Sequence, residues 1–108
     1  LTLSGGNQQK VVLSKWMAEA SRLLILDEPF QGVDIQARRD IGRRIRDSAG
    51  TRATLVLCAE IDEALEVADR ILVMSEHTVV GDHRNEQIDL ALLMAQVSGT
   101  AEQTKEPA

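Results

Sequence analysis

The chain has 108 residues, of which 44% are hydrophobic and 27% are charged, and this balance is typical of a soluble globular domain. Its formal net charge is -5, and a surface of that sign does not attract a phosphate backbone over distance. We therefore expect no nucleic-acid partner. The single cysteine, Cys58, cannot form an internal disulfide, which fits a reducing compartment.

The first predicted element is an amphipathic helix. Ser4 can cap it, and apolar residues recur at a four-residue spacing up to about residue 20. Trp16 lies on that apolar face, so we expect it in the core. The run Leu23–Leu26 has the length of a strand buried on both faces, and Pro29 and Gly32 then mark a loop.

The rest of the chain alternates helices with short strands. Asp34 can cap the next helix, since its side chain can accept a free N–H of the first turn. The predicted elements are a helix over 35–48, a strand over 53–58, a short helix over 62–68, strands over 71–74 and 78–80, and a helix over 87–97. This alternation predicts an α/β fold with a mainly parallel sheet and flanking helices. We expect one domain over residues 1–98 and a polar, disordered tail over 99–108.

Five arginines cluster in the predicted helix over 35–48. They are Arg38, Arg39, Arg43, Arg44 and Arg46. We interpret this cluster as the solvated face of the helix, because runs of charge on a helix usually face water.

A glycine-rich turn precedes the first helix. It consists of Ser4, Gly5, Gly6 and Asn7. The glycines permit close backbone approach, and the helix that follows presents free N–H groups at its positive end, so the turn can bind an anion. A plain capped turn explains the same residues equally well.

Two adjacent carboxylates follow the first predicted strand. Ligands of open α/β sheets bind at the carboxyl ends of the strands, which is where Asp27 and Glu28 lie. Asp27 is placed to hold Mg²⁺ through water, and Glu28 is placed to orient or deprotonate an attacking water. The alternative is a strand followed by a solvated acidic turn.

Three motifs in this order resemble those of the ABC-transporter ATPase family. Leu1–Asn7 is similar to the signature motif, Leu23–Glu28 to the Walker B motif and Gly32–Asp34 to the D-loop. The string Ser4–Met17 resembles the sugar importers of that family in particular. The resemblance covers nearly the whole chain and implies a partial P-loop NTPase-like fold.

The resemblance also implies cofactors and residue roles. ATP and Mg²⁺ are the implied cofactors, and Ser4–Asn7 would contact the γ-phosphate of an ATP held by an opposite ATPase domain. Asp27 would hold Mg²⁺ through water, and Glu28 would be catalytic, both for an ATP in their own domain. Asp34 would couple the two sites across the dimer.

The phosphate-binding loop of the family, G-x-x-x-x-G-K-[ST], does not occur in this sequence. The chain opens with Leu1 inside a motif, so we expect that the Walker A strand and its loop have been cut off. The isolated segment is then expected neither to bind ATP tightly nor to hydrolyse it. In the family, that strand lies between the strands matching 53–58 and 71–74. Its loss leaves unpaired edges, so we expect a rearranged sheet, an oligomer or modest stability.

Two further positions depart from the family pattern. Ala59 takes the position of the switch histidine, and a methyl group cannot hydrogen-bond a phosphate. Sugar importers often carry a Ser-Ser-Glu-like triplet where this chain has Cys58-Ala59-Glu60, so the departure fits that branch. Phe30 stands where the importers usually have a small polar residue.

The function implied by the resemblance is that of the ATPase subunit of an ABC transporter that imports sugars or sugar-like solutes. The implied partners are a second ABC ATPase domain, transmembrane permease subunits and, indirectly, a solute-binding protein. The implied location is cytoplasmic, peripheral on the inner face of the cell membrane. One alternative, an ABC protein of translation or DNA repair, is disfavoured by the acidic charge. Another is a degenerate, non-catalytic half that binds a partner ATPase domain and a permease, which Ala59 favours and Glu28 opposes.

Overall fold

The computed structural model describes Lys15, Trp16 and residues 20–99. From residue 20 on, the elements are β1 (Leu23–Asp27), α1 (Ile35–Asp47), β2 (Ala53–Leu57), α2 (Ile61–Val67), β3 (Arg70–Ser75), β4 (Thr78–Arg84) and α3 (Leu90–Ser98). This order confirms the predicted α/β class. The chain divides into two compact units between Val67 and Ala68. None of the described helices has the length and hydrophobicity that crossing a bilayer requires.

The first unit contains a parallel pair of strands, as predicted. Leu23 pairs with Ala53 at one end and Asp27 pairs with Leu57 at the other, and α1 lies in the connection between the two strands. Residues alternate between the faces of a strand, and in β1 only Leu24 and Leu26 are buried. Ile25, on the other face, is 59% exposed. The prediction that this strand is buried on both faces is therefore wrong, because in this structure α1 covers only one face.

The core of the first unit lies between the buried face of the sheet and the helices. Its buried residues are Leu24, Leu26, Phe30, Ile41, Ile45 and Val67. Ile41 and Ile45 are one turn apart on α1, so both point towards β1 and β2. Phe30 is only 3% exposed, and burying a phenyl ring contributes roughly 1.5–3 kcal/mol. The ring of Phe30 therefore fills part of this core.

Helix α1 begins where the sequence predicts it. The side chain of Asp34 accepts a hydrogen bond from the backbone N–H of Ala37 over 2.8 Å, which satisfies a donor of the first turn. The helix ends at Asp47, one residue before the predicted end, and Ser48 is its C-cap. The solvated-face interpretation of the arginine cluster is wrong for Arg38, which is partly buried, as described below.

The second unit contains a β-hairpin followed by a helix. β3 and β4 are antiparallel, with a bulge between Val73 and Met74. Glu76 and His77 form the turn with φ values of 48° and 70°, the left-handed conformation that tight hairpins require at both central positions. β4 extends well beyond the predicted edge strand over 78–80.

Helix α3 begins later than predicted, at Leu90 instead of residue 87. Gln87 has a φ of 53°, which is outside the right-handed helical region. The side chain of Asp89 accepts the backbone N–H of Leu92 over 3.1 Å and so caps the helix. Gly99, the first residue of the predicted tail, closes α3 at a φ of 80°, and residues 100–108 lie outside the described part of the chain.

Trp16 is a further correction to the predicted core. It is 52% exposed, whereas the sequence placed it on a buried helix face. Lys15 and Trp16 are helical, as expected, whereas Ala20, the other described residue of that predicted helix, is not helical.

Candidate functional site

The candidate site lies at the carboxyl end of β1, where Glu28 has an unusual backbone conformation. Its φ is 53°, in the left-handed region that residues with a Cβ rarely adopt. Its backbone N–H donates to the carbonyl oxygen of Leu57 over 2.7 Å. This bond extends the pairing of β1 and β2 by one residue, so Glu28 is fixed to the end of β2. Strained residues held in this way cluster at functional sites.

The Glu28 carboxylate is close enough to a second acidic residue, Glu63 of α2, for their charges to interact. Burial raises the pKa of Glu63, and the negative charge of Glu28 raises it further. A backbone hydrogen bond at Glu60 and, less strongly, the positive charge of Arg38 oppose that rise, while the charge of Asp62 adds to it. The site is therefore more acidic in composition than the sequence motifs indicated, because Glu63 belongs to none of them.

Cys58 lies beside the same two carboxylates. Burial raises the pKa of its thiol from 9.0 to about 11, and the charges of Glu63, Glu28 and Asp62 add to the increase. A thiol with such a pKa is protonated at neutral pH and is a poor nucleophile. Cys58 is consequently expected to be uncharged at neutral pH.

Asp27 ends β1 and lies on the exposed face of the sheet. Side chains alternate between the two faces of β1, so Asp27 lies on the face opposite the buried Leu24 and Leu26, and its side chain is accessible to solvent. Within the described residues, no group of three or more His, Cys, Asp or Glu side chains could hold a metal ion by itself. Asp27 therefore presents one exposed carboxylate at the end of β1.

The loop from Glu28 to Asp34 is a chain of short turns. The N–H of Gln31 donates to the carbonyl of Glu28 over 3.3 Å, and the N–H of Val33 donates to the carbonyl of Phe30 over 3.1 Å. Gly32 has a φ of 73°, which a residue with a side chain adopts only with strain. The buried ring of Phe30 anchors the loop, so Glu28 and Asp34 are held at its two ends.

Ala59 follows β2 and is exposed, close in sequence to the start of α2. Of the predicted site residues, the structure groups Asp27, Glu28 and the segment 58–60 at one edge of the parallel pair. Asp34 is placed at the start of α1, across the loop from Glu28. Ser4, Gly5, Gly6 and Asn7 lie outside the described residues.

Comparison with known proteins finds the same family resemblance that the motifs indicated. Residues 1–31 match the model of the ABC transporter family. The chain is 42% identical over 98 residues to the xylose import ATP-binding protein XylG of Geobacillus kaustophilus, covering 90% of this chain and 19% of that protein. It is 43% identical over 98 residues to the ribose import ATP-binding protein RbsA 2 of Rubrobacter xylanophilus, with the same two coverages. Over nearly its whole length, the chain is therefore similar to ATPase subunits of the ABC-transporter family.

The match extends to the fold. A solved SMC ATPase chain superposes with a TM-score of 0.63 at 15% identity, covering 95% of this chain and 65% of that one. This confirms the P-loop NTPase-like α/β fold. The ABC-family relatives in the comparison are of the carbohydrate-importer type, as the string Ser4–Met17 indicated. The chain spans about a fifth of the length of these curated relatives.

Sequence motifs did not reveal the acidic residues of α2 that lie near the site or pair with Arg38. Glu63 and Glu66 lie on a short helix whose sequence, IDEALEV, is typical of any solvated acidic helix. Arg38 was one of five clustered arginines. The only available signal was charge complementarity between α1 and α2, which does not say which arginine meets which carboxylate.

Proposed function

We propose that the protein to which this segment belongs is the ATP-binding and ATP-hydrolysing subunit of an ABC transporter that imports a sugar or sugar-like solute. The names of the relatives support this, since they are xylose and ribose import ATP-binding proteins. The observation that carries the proposal is the fixed position of Glu28 at the carboxyl end of β1, held by its bond to Leu57.

In this proposal, Glu28 orients or deprotonates the water that attacks the γ-phosphate. Phosphoryl transfer is mainly a matter of positioning and electrostatics, so a carboxylate that is fixed through its main chain suits the task. The charge of Glu28 is close enough to Glu63 and Cys58 to raise the pKa of both groups, which places the Glu28 carboxylate near the end of β2 and the start of α2.

Asp27 is proposed to hold Mg²⁺ through a water molecule. Mg²⁺ is bound in such sites by one or two carboxylates together with waters and substrate phosphates, so a single exposed carboxylate fits it. The ion, when bound, neutralises charge on the phosphates. The role of Asp27 is to supply an oxygen ligand at the end of β1, next to Glu28.

Ser4, Gly5, Gly6 and Asn7 are proposed to bind an ATP held by the opposite ATPase domain. The physical basis is the anion site that a glycine turn forms at a helix N-terminus. Asp34 is proposed to couple the two nucleotide sites. It is exposed at the end of the loop that begins at Glu28, which supports a contact beyond this unit.

The proposed partners are a second ABC ATPase domain, transmembrane permease subunits and, indirectly, a solute-binding protein. The proposed location is the cytoplasmic face of the cell membrane, where such subunits attach to a permease. Nucleic acid is not a proposed partner, since the net charge of -5 disfavours it.

The segment of 108 residues is proposed to be inactive by itself. No G-x-x-x-x-G-K-[ST] run occurs in its sequence, so the main phosphate ligands of a P-loop ATPase are not among its residues. Calorimetry of the segment with Mg-ATP should detect no tight binding. Micromolar affinity in that measurement would contradict the proposal.

A second candidate is a degenerate half-site that binds a partner ATPase domain and a permease without hydrolysing ATP. Ala59 favours this reading, because its methyl group cannot donate to a phosphate. The full-length protein with Glu28→Gln decides between the two. Glu76→Gln is the matched control, since Glu76 is an exposed turn residue of the hairpin. A large loss of ATPase activity in E28Q alone supports hydrolysis at this site, and unchanged activity favours the degenerate half.

A further inference from the structure

Arg38 differs from its neighbours in the arginine cluster by its burial. Its side chain is 18% exposed, whereas the side chains of Arg39 and Arg43 are 62% and 66% exposed. Arginine is seldom buried unless it is paired, because removing a charge from water is costly. A partly buried arginine therefore indicates a specific partner.

The partners of Arg38 lie on helix α2. Its Nε donates to Oε2 of Glu66 over 3.1 Å, and its Nη1 lies 3.5 Å from Oδ2 of Asp62. Asp62 and Glu66 are four residues apart and so share one face of α2, where their like charges repel each other. The positive charge of Arg38 also acts on Glu63. One guanidinium thus offsets the repulsion among three carboxylates.

The backbone of Arg38 is tied to the loop that follows Glu28. Its N–H donates to the carbonyl oxygen of Asp34 over 2.9 Å, and this hydrogen bond closes the first turn of α1. The Asp34 side chain in turn accepts the N–H of Ala37, whose side chain is buried. The position of Arg38 relative to the loop end is therefore set by the helix cap.

The opposite end of the contact between the helices has its own support. Arg46 donates from Nη2 to the carbonyl oxygen of Glu66 over 2.8 Å. A Cβ built on Gly42 would lie 3.0 Å from Cγ2 of the buried Val67, so the helices approach closely there. These contacts hold the C-terminal end of α2. Arg38, unlike Arg46 and Gly42, contacts Asp62 in the first turn of α2, which follows directly on the segment 58–60.

We infer that Arg38 is a positioning residue for the proposed hydrolysis site. Through Asp62 and Glu66 it links the start of α1 to α2, and α2 follows directly on Cys58-Ala59-Glu60. Arg38 thereby holds residues 58–60 near Glu28. Asp34 lies at the other end of the loop that begins at Glu28. The inference rests on the proposed function, because it takes Glu28 as the hydrolytic residue.

The test uses the full-length protein and compares Arg38→Ala with Arg39→Ala. Arg39 contacts the same Glu66 carboxylate, but at 3.7 Å and from an exposed position. We expect R38A to lower kcat for ATP by about tenfold or more, because small misplacements in a catalytic site cost up to about a hundredfold. The KM for ATP should change less than about twofold, since the phosphate-binding residues are not altered. R39A should leave kcat unchanged within about twofold.

A second readout separates positioning from general loss of stability. Hydrogen exchange in residues 58–67 should become faster in R38A, while exchange in β1 and the core of α1 stays as in the wild type. Arg38→Lys, which keeps the charge, should recover part of the lost kcat. Glu66→Gln keeps the side-chain volume and should lower kcat in the same direction, and it serves if R38A does not fold.

The outcomes for the two proposals can be told apart. If E28Q abolishes hydrolysis but R38A and E66Q both keep kcat within about twofold of the wild type, the role of Arg38 is refuted and the hydrolysis site stands. If E28Q itself leaves hydrolysis unchanged, the proposed function fails, and with it the role of Arg38.

Discussion

The backbone N–H of Glu28 donates a hydrogen bond to the carbonyl oxygen of Leu57 over 2.7 Å. The bond continues the parallel pairing beyond Asp27, the last residue of β1. It holds a glutamate at a φ of 53°, and the left-handed region costs a residue with a Cβ about 1–2 kcal/mol. The edge of the sheet thus keeps the candidate catalytic carboxylate in place against a local conformational preference.

The cost of this conformation can be measured with two variants at one position. Glu28→Gly should leave the protein more stable than Glu28→Ala by about 1 kcal/mol, because glycine accepts a positive φ without strain. Both variants lack the carboxylate, so both should lose ATPase activity. Thermal unfolding of the full-length protein compares their stability. Equal stability of the two variants would show that residue 28 does not keep this conformation in solution.

Local signals in the sequence predicted the elements well. Asp34 followed by an apolar repeat marked α1, and short apolar runs marked β1 and β2, since capping and periodicity depend on neighbouring residues only. Glu28 and Asp27 were predicted at the end of β1 for the same reason. Their roles remain predictions until they are tested.

Features that depend on distant residues were not predictable in this way. The partial burial of Arg38 depends on where α2 packs, and an arginine in a run of arginines carries no sign of it. Whether a face of β1 is exposed depends on which other elements cover the sheet, and not on the sequence of the strand itself. The late start of α3 depends on a left-handed Gln87, a conformation that propensity alone disfavours.

Replacing Glu63 with Gln should make stability less dependent on pH. The pKa of Glu63 is raised by burial and by Glu28, so the folded state binds more protons than the unfolded state above the ordinary pKa of 4.5. The free energy of unfolding then falls as the pH rises from 4.5 to the raised pKa of Glu63 in the folded state. Glu63→Gln removes the effect and should be more stable than the wild type at pH 7.

Unfolding of the full-length protein at several pH values tests this, with Glu76→Gln as the control. The stability advantage of E63Q over the wild type should shrink as the pH falls towards 4.5. It should vanish below that pH, where the Glu63 carboxyl is protonated in both the folded and the unfolded state. Glu76 lies in the exposed hairpin turn, so its replacement should change stability little at any pH. An advantage of E63Q that is constant over pH would contradict the assigned cause.

Cys58 should react slowly with alkylating reagents. Raising the pKa of the thiol from 9.0 to about 11 lowers the thiolate fraction at pH 8 by about a hundredfold. Labelling with iodoacetamide, followed by mass spectrometry of the peptide that contains Cys58, compares folded and denatured protein. Glu63→Gln should increase the rate in the folded protein, because Glu63 adds to the rise in the pKa. Equal rates in the two states would exclude a raised pKa.

Gly81→Ala should weaken the attachment of α3 to the hairpin in the second unit. A Cβ on Gly81 would overlap the side-chain oxygen of Gln96. Gln96 donates from Nε2 to the carbonyl of Val80 over 3.2 Å, and its Oε1 lies 2.6 Å from Nε2 of His83. Because an amide oxygen only accepts, the ring nitrogen is the donor. Displacing Gln96 breaks both bonds, at about 0.5–1.5 kcal/mol each.

The double variant with Gln96→Ala shows whether this clash is the cause. Removing the Gln96 side chain also removes its two hydrogen bonds, so the alanine at position 81 then has little left to disturb. We expect G81A to destabilise the wild-type background by about 1–3 kcal/mol and the Q96A background by much less. Hydrogen exchange of the α3 amides in each variant reports the change locally. Equal effects in the two backgrounds would mean that Gly81 is required for the backbone of β4 and not for the contact with Gln96.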